Sequence, residues 1–127
     1  MREEVLVLKD ADNQRPVPSV WRSTLYDIVE ALKDGDFSLA RGVAGVRPIH
    51  AKNAIRIANN IRGYGARLAS LQEDAWRTSA CQWMRSYWDV LVDLSTVEEG
   101  ASDLALDVRV YEEGSGYIFE VQSVHVP

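Results

Sequence analysis

Between Tyr87 and Val126 the chain reads as three runs of about ten residues, YWDVLVDLST, DLALDVRVYE and YIFEVQSVHV, broken by VEEGAS and EGSG. Each run is rich in Val, Leu, Tyr and Phe, and each break carries Gly, Ser or Glu, the pattern of consecutive antiparallel strands joined by tight connections. A meander of this kind has an apolar side that must be covered, and the helices read ahead of it can cover it. The expected architecture is therefore α+β: two N-terminal helices packed on one face of a C-terminal antiparallel β-meander of three to five strands.

Period-two bookkeeping assigns the faces. In the first run Trp88, Val90, Val92 and Leu94 fall on one side, and Tyr87, Asp89, Leu91 and Asp93 on the other. In the second, Leu104, Leu106, Val108 and Val110 are expected inward, with Asp103, Ala105, Asp107, Arg109 and Tyr111 outward. The third run breaks step: Tyr117, Phe119 and Val121 share a face that Val124 and Val126 do not, which requires a bulge or burial on both sides.

The same stretch carries nine carboxylates (Asp89, Asp93, Glu98, Glu99, Asp103, Asp107, Glu112, Glu113, Glu120) against one cation, Arg109. From Phe37 to Gln72, by contrast, there is no acid and there are six cations, Arg41, Arg47, Lys52, Arg56, Arg62 and Arg67. The chain, of net charge −5, is electrically two-sided in sequence. An acidic sheet face attracts basic proteins and repels nucleic acid, unless the basic segment folds across it and cancels the field.

Ahead of the sheet the reading proceeds in segments of one 127-residue domain. Residues 1–17 form an extended lead-in, with VLVL at 5–8 as a possible edge strand. A helical part follows over 18–66, and the sheet occupies 76–127. Ser19 is a plausible N-cap for a first helix whose stripe is Trp21, Leu25, Ile28, Val29 and Leu32, ended at Gly35. Phe37 to Val46 reads as a loop. Pro48 can open a second helix with Ala51, Ala54, Ile55, Ala58 and Ile61 as its apolar side and Ile57 at the margin, ended by Gly63-Tyr64-Gly65. Thr78 to Met84 reads as a further short strand, a helix over Glu73–Met84 being the alternative.

Several chemistries are absent from this pattern. A single cysteine, Cys81, permits no internal disulfide. The N-terminus has neither signal-peptide nor anchor character, and no run approaches the roughly 20 apolar residues of a membrane helix, so a cytoplasmic protein is expected. His50 and His125 are far apart, and no phosphate loop, zinc pair or serine elbow occurs. No catalytic residue, metal or cofactor is expected. Trp76, Trp83, Tyr87 and Trp88 could line a pocket, but core is the default for aromatics beside strands. Glu98-Glu99-Gly100 could be a partner loop, a cation site or a plain turn, and Gly100 with Ser102 or Asp103 supplies the chemistry of a turn.

The residues DLSTVEEGASDL, Asp93 to Leu104, together with PVPSVW, GDF at Gly35 to Phe37 and the close SVHVP, resemble a family of small bacterial domains with the pattern D-L-x-T-x-E-E-G-x-S-D-L. Such domains resemble the small cytoplasmic immunity proteins of polymorphic-toxin and contact-dependent inhibition systems. The likeness spans roughly residues 16 to 127. It implies a non-enzymatic inhibitor of a cognate toxin C-terminal domain, with no catalytic residue to carry over. Joined to the charge pattern, it points to a nuclease toxin as partner and to Asp89, Asp93, Glu98, Glu99, Asp103, Asp107 and Tyr111 as contact residues, with no direct contact to nucleic acid or membrane. A small ligand-binding domain or enzyme, with a pocket between helices and curved sheet, is the alternative. An oligomerising accessory protein is a third.

Overall fold

The computed structural model describes residues 4–127, so the first three residues of the expected lead-in lie outside the described residues. The alternating runs form a four-stranded antiparallel sheet in the order β1-β2-β3-β4, with β1 Ala80–Trp83, β2 Trp88–Thr96, β3 Gly100–Glu113 and β4 Gly116–His125. A 3-10 turn at Ser19–Trp21 runs into α1, Arg22–Lys33; α2 spans Ala51–Tyr64, and a single turn, α3, occupies Ala75–Thr78. Of the expected Thr78–Met84 strand, Ala80–Trp83 is strand, and the competing helix survives only as the turn at Ala75–Thr78.

Trp88, Val90, Val92 and Leu94 of β2 and Leu104, Leu106, Val108 and Val110 of β3 are all buried, as the alternation requires. They share one apolar core with Trp21, Leu25, Ile28, Val29 and Leu32 around α1 and with Ala54, Ile57 and Ile61 of α2. Each fully buried aliphatic chain contributes about 1.5–3 kcal/mol. Trp21 is the hinge of the packing, edge-on to Trp88 at 5.3 Å, Tyr117 at 5.2 Å and Phe119 at 5.9 Å. These T-shaped contacts set a positive ring edge against a negative ring face and fix how the first helical turn sits on the strands.

The bulge expected in the last run lies at Gln122. Asp107 pairs with Ser123 but Val108 pairs with Val121, leaving Gln122 without an opposite residue. That extra residue swaps the parity of β4, so Phe119, Val121 and Val124 all reach the core. A second irregularity sits between the pairs Asp93–Ala105 and Ser95–Ala101, where Ser102, Asp103 and Leu104 oppose Leu94 alone. There the Ser102 hydroxyl donates to the Leu94 carbonyl at 2.7 Å and accepts from the Leu104 N–H at 3.2 Å.

Four local expectations are corrected. VLVL at 5–8 is extended but pairs with no strand. Instead the Trp88 indole N–H donates to the Leu8 carbonyl at 2.9 Å and the Val5 N–H donates to the Ser19 hydroxyl at 2.8 Å. Ser19 therefore does not cap α1, because its oxygen is spent on the lead-in, and Trp21 holds the N-cap position without a side-chain bond. His50, not Pro48, opens α2, its Nδ1 accepting from the Lys52 N–H at 3.2 Å. In α2 the buried stripe is Ala54, Ile57, Ala58 and Ile61, whereas Ile55 is 63% exposed. The period of 3.6 places 57 and 58 together on the stripe through 54 and 61, which leaves 55 outside it.

Short single-bridge segments line the strand edges. Arg15 exchanges two backbone hydrogen bonds with Cys81 on β1. Gly45 and Arg47 hold both backbone groups of Phe119 on β4, and Arg67 and Ala69 bond Val97 and Ser95 beyond the end of β1. Edge N–H and C=O groups that would otherwise invite another strand are satisfied at these points.

Candidate docking surface

The outer sheet face is read in rows across the paired strands. Gln82, Asp89, Arg109 and Glu120 are successive partners, Ala80, Leu91, Asp107 and Ser123 form the next row, and Asp93, Ala105 and His125 a third. Most of these side chains are partly open to solvent, and Asp93 is exposed. Ala105, on the same side, is buried, its small side chain shielded by longer neighbours.

Beside the first row, two stacked tyrosines are flanked by two cations. The Arg109 guanidinium lies 4.5 Å from the Tyr87 ring, Tyr87 is 5.7 Å from Tyr111, and the Arg47 guanidinium is 5.2 Å from Tyr111. Arg47 also pairs with Glu120 at 2.6 Å, so a cation from the segment before α2 crosses to this face. Cation–ring attraction of this kind is worth about 0.5–1 kcal/mol at exposed sites. Gln122 and then Arg47 hold the Glu120 carboxyl below its ordinary range.

Asp107 sits at the middle of the face, partly buried, and its Oδ1 is buried with no hydrogen-bond partner. Desolvation, then a hydrogen bond with Asp89 and the charge of Asp89, raises its carboxyl from 3.8 to about 7, with Arg109 opposing. Loss of water and a neighbouring carboxyl both disfavour the charged form of Asp107. Asp107 is thus only partly ionised near neutrality.

The glutamates of the turn are also engaged. Thr96 pairs with Gly100 across a three-residue loop, and Gly100 adopts φ +74°, where a side chain would be strained. The Thr96 hydroxyl accepts from the Glu99 N–H at 3.1 Å and donates to the Glu99 carboxylate at 3.3 Å. Glu98 accepts from the Arg67 N–H at 2.8 Å, and that bond holds its carboxyl below the ordinary range. The Tyr64 hydroxyl accepts from the Asp103 N–H at 3.2 Å and lies against Glu99, so α2 is tied to the hairpin end. The residues Thr96, Glu98, Glu99, Gly100, Ser102 and Asp103 build a hairpin and its bulge.

The expected contact set therefore divides. Asp89, Asp107 and Tyr111 lie together on the face, Asp93 and Asp103 are exposed towards the hairpin end, and Glu98 and Glu99 bend back into the turn. Among the described residues neither Asp93 nor Asp103 has an ion-pair partner. Tyr87, Arg109, Arg47 and Glu120 were missed as members of the surface. Period two already set Tyr87 and Arg109 outward, but nothing in sequence signalled that Arg47 would reach Tyr111.

Other candidates resolve into structure. Cys81 is buried, and burial, with Asp89's charge, pushes its thiol up to about 12, so it holds its proton and is no nucleophile at neutral pH. His50 caps α2, and His125 shares a hydrogen bond with the Ser123 hydroxyl at 2.8 Å. Trp76 and Trp88 are buried and Trp83 packs against the core at 4.5 Å from Trp88, whereas Tyr87 belongs to the outer face. A groove of about 440 Å³ is lined by Arg22, Tyr26 and Asp27 of α1, by Leu71 and Gln72, and by Trp76. Among the described residues no group of His, Cys, Asp and Glu is placed to hold a metal ion, and no helix is long and apolar enough to cross a membrane.

No curated protein and no solved structure matches the chain. Residues 29–127, from the second half of α1 to the end, match the family described as "Domain of unknown function (DUF7668)". That match takes in α2, the whole sheet and the DLSTVEEGASDL hairpin, and the chain belongs to this family.

Proposed function

We propose that the protein is a non-enzymatic binding protein of the cytoplasm, an immunity protein that docks its outer sheet face on the basic surface of a cognate toxin domain. One observation carries the reading. The outer face combines a partly exposed Tyr87–Tyr111–arginine ladder with exposed Asp93 and Asp103 that have no ion-pair partner among the described residues. Tyr and Arg are the residue types that most often anchor protein interfaces, and rim carboxylates speed encounter with a cationic partner. A nuclease domain, which grips phosphate through Lys and Arg, is such a partner.

The helices and inner strand face share a core of close-packed side chains, which agrees with a protein that acts through its surface. Asp107, on the same face and raised to about 7, gives the docking reaction a proton to release when a cation approaches.

Co-expression with the toxin domain encoded beside it tests the proposal. The protein should restore growth and co-purify with the toxin in a stoichiometric complex. Asp93→Lys with Asp103→Lys should slow association about tenfold or more, and Tyr111→Ala should speed dissociation. Full protection by both variants would remove this face from the mechanism.

A further inference from the structure

The solvent side of α2 carries Lys52, Ile55, Arg56, Asn59 and Arg62, all exposed and spaced to form one stripe opposite the buried Ala54, Ile57, Ala58 and Ile61. The other cations of the acid-free segment are compensated: Arg41 by Asp34 and Asp36, Arg47 by Glu120, Arg67 by Glu98. Lys52 and Arg56 have no such partner among the described residues, and Arg62 only lies over the Phe37 ring at 5.8 Å.

Within the isolated molecule this placement is unfavourable. Lys52 stands in the first turn, where the helix dipole opposes a cation, and no acid occupies that turn. Lys52 and Arg56 are a like-charged pair four residues apart, which weakens a helix where an opposite pair would support it. Ile55, 63% exposed, stands between them. A stripe that is repulsive within itself and apolar at its middle becomes favourable only against an anionic surface that also offers apolar contact.

The molecule owns such a surface. Asp93 and Asp103 are exposed and without ion-pair partners among the described residues, and Leu91 lies beside Asp93 on the outer face. A net charge of −5 makes approach to a long polyanion costlier than approach to a bounded acidic patch. We propose that the α2 stripe docks on the outer sheet face of a second copy of this chain, Lys52 and Arg56 meeting Asp93 and Asp103 and Ile55 covering Leu91. The contact joins different surfaces of the two copies, so it is head-to-tail and leaves one free α2 and one free sheet face at the ends. A partner seated on the sheet face displaces the second copy from it.

Sedimentation velocity over a concentration series tests this with the full chain. Wild type should self-associate at low salt and weaken about tenfold as salt rises from about 0.02 to 0.3 M. Lys52→Gln with Arg56→Gln and Arg62→Gln leaves a sheet face without a helix partner, and Asp93→Asn with Asp103→Asn leaves the reverse. Each variant alone should be monomeric, and their mixture should form a one-to-one dimer that grows no further, because each copy keeps one working surface. Circular dichroism and unfolding midpoints like those of wild type show that both variants are folded. A wild type monomeric throughout, variants that associate like wild type, or a mixture that stays monomeric overturns the proposal. So does binding of a labelled single-stranded oligonucleotide by monomeric wild type that the α2 variant loses, which would assign the stripe to nucleic acid.

Discussion

Trp88, Val90, Val92 and Leu94 point to one side of β2 and are buried, while Asp89, Leu91 and Asp93, one residue out of step, meet water on the other. The inner side is uniform in chemistry, and each residue there is held by neighbours of the same kind. The outer side mixes a carboxyl raised towards neutrality, stacked guanidinium groups and exposed carboxylates, so its residues depend on particular partners. Inner positions should then answer to size, and outer positions to charge and pH.

The sharpest break in that contrast comes from the core. Leu106→Ala, at a fully buried site, should cost about 2–5 kcal/mol in urea unfolding, whereas Leu91→Ala, opposite Asp107 on the outer face, should cost under about 1 kcal/mol. Equal losses would show that something covers the outer face in solution.

Asp107 gives the next largest effect, and its sign is opposite to that of Glu98 and Glu120. Its folded-state carboxyl, raised to about 7, binds a proton more tightly than the unfolded chain's, so its contribution is complete below about 4 and lost as pH rises through 7. Asp107→Asn keeps the uncharged form and should stabilise by about 1–2 kcal/mol at pH 8, solvent screening included, with little change at pH 5. Glu98 and Glu120, held below their ordinary range by Arg67 and by Gln122 with Arg47, act the other way: their contributions are present at neutral pH and lost on acidification. Thermal melts across pH for wild type and variant separate the two.

Smaller still is the ladder. Arg109→Gln removes the stack on Tyr87 and the cation that opposes Asp107's shift, and should cost about 0.5–1 kcal/mol while raising the pH at which Asp107 titrates. Chemical shifts of the Asp107 side chain followed by NMR check the direction. Asp93→Lys, on an exposed carboxylate, should change stability by less than about 0.5 kcal/mol, which makes it the clean probe of binding.

Most of the sheet was legible because burial on one face imposes a two-residue period, and even the bulge at Gln122 announced itself when Val121 and Val124 fell out of step. α2 was found but rotated, since Ile55 and Ile57 are the same residue type and composition could not say which faces in. The outer face was legible as a list of acids and not as an interaction pattern. Asp107 is raised because burial and nearby Asp89 disfavour its charge, and Glu98 turns towards Arg67 because the Arg67 N–H needs an acceptor. Such pairings arise from distances across the fold, which no local pattern encodes. Arg47 is the clearest instance, lying 73 residues from the Glu120 it meets.

The three lone bridges at Arg15, Val46 and Leu68 have a consequence for how the molecule meets others. They act as bolts on the margins of the sheet, so an incoming β-segment has to evict part of the host's own backbone before it can be added at these places. Visitors are steered to the broad flanks instead. Severing the chain between Val43 and Arg47 should draw the bolt beside Phe119, and the trimmed protein should then clump through main-chain pairing whatever its charges.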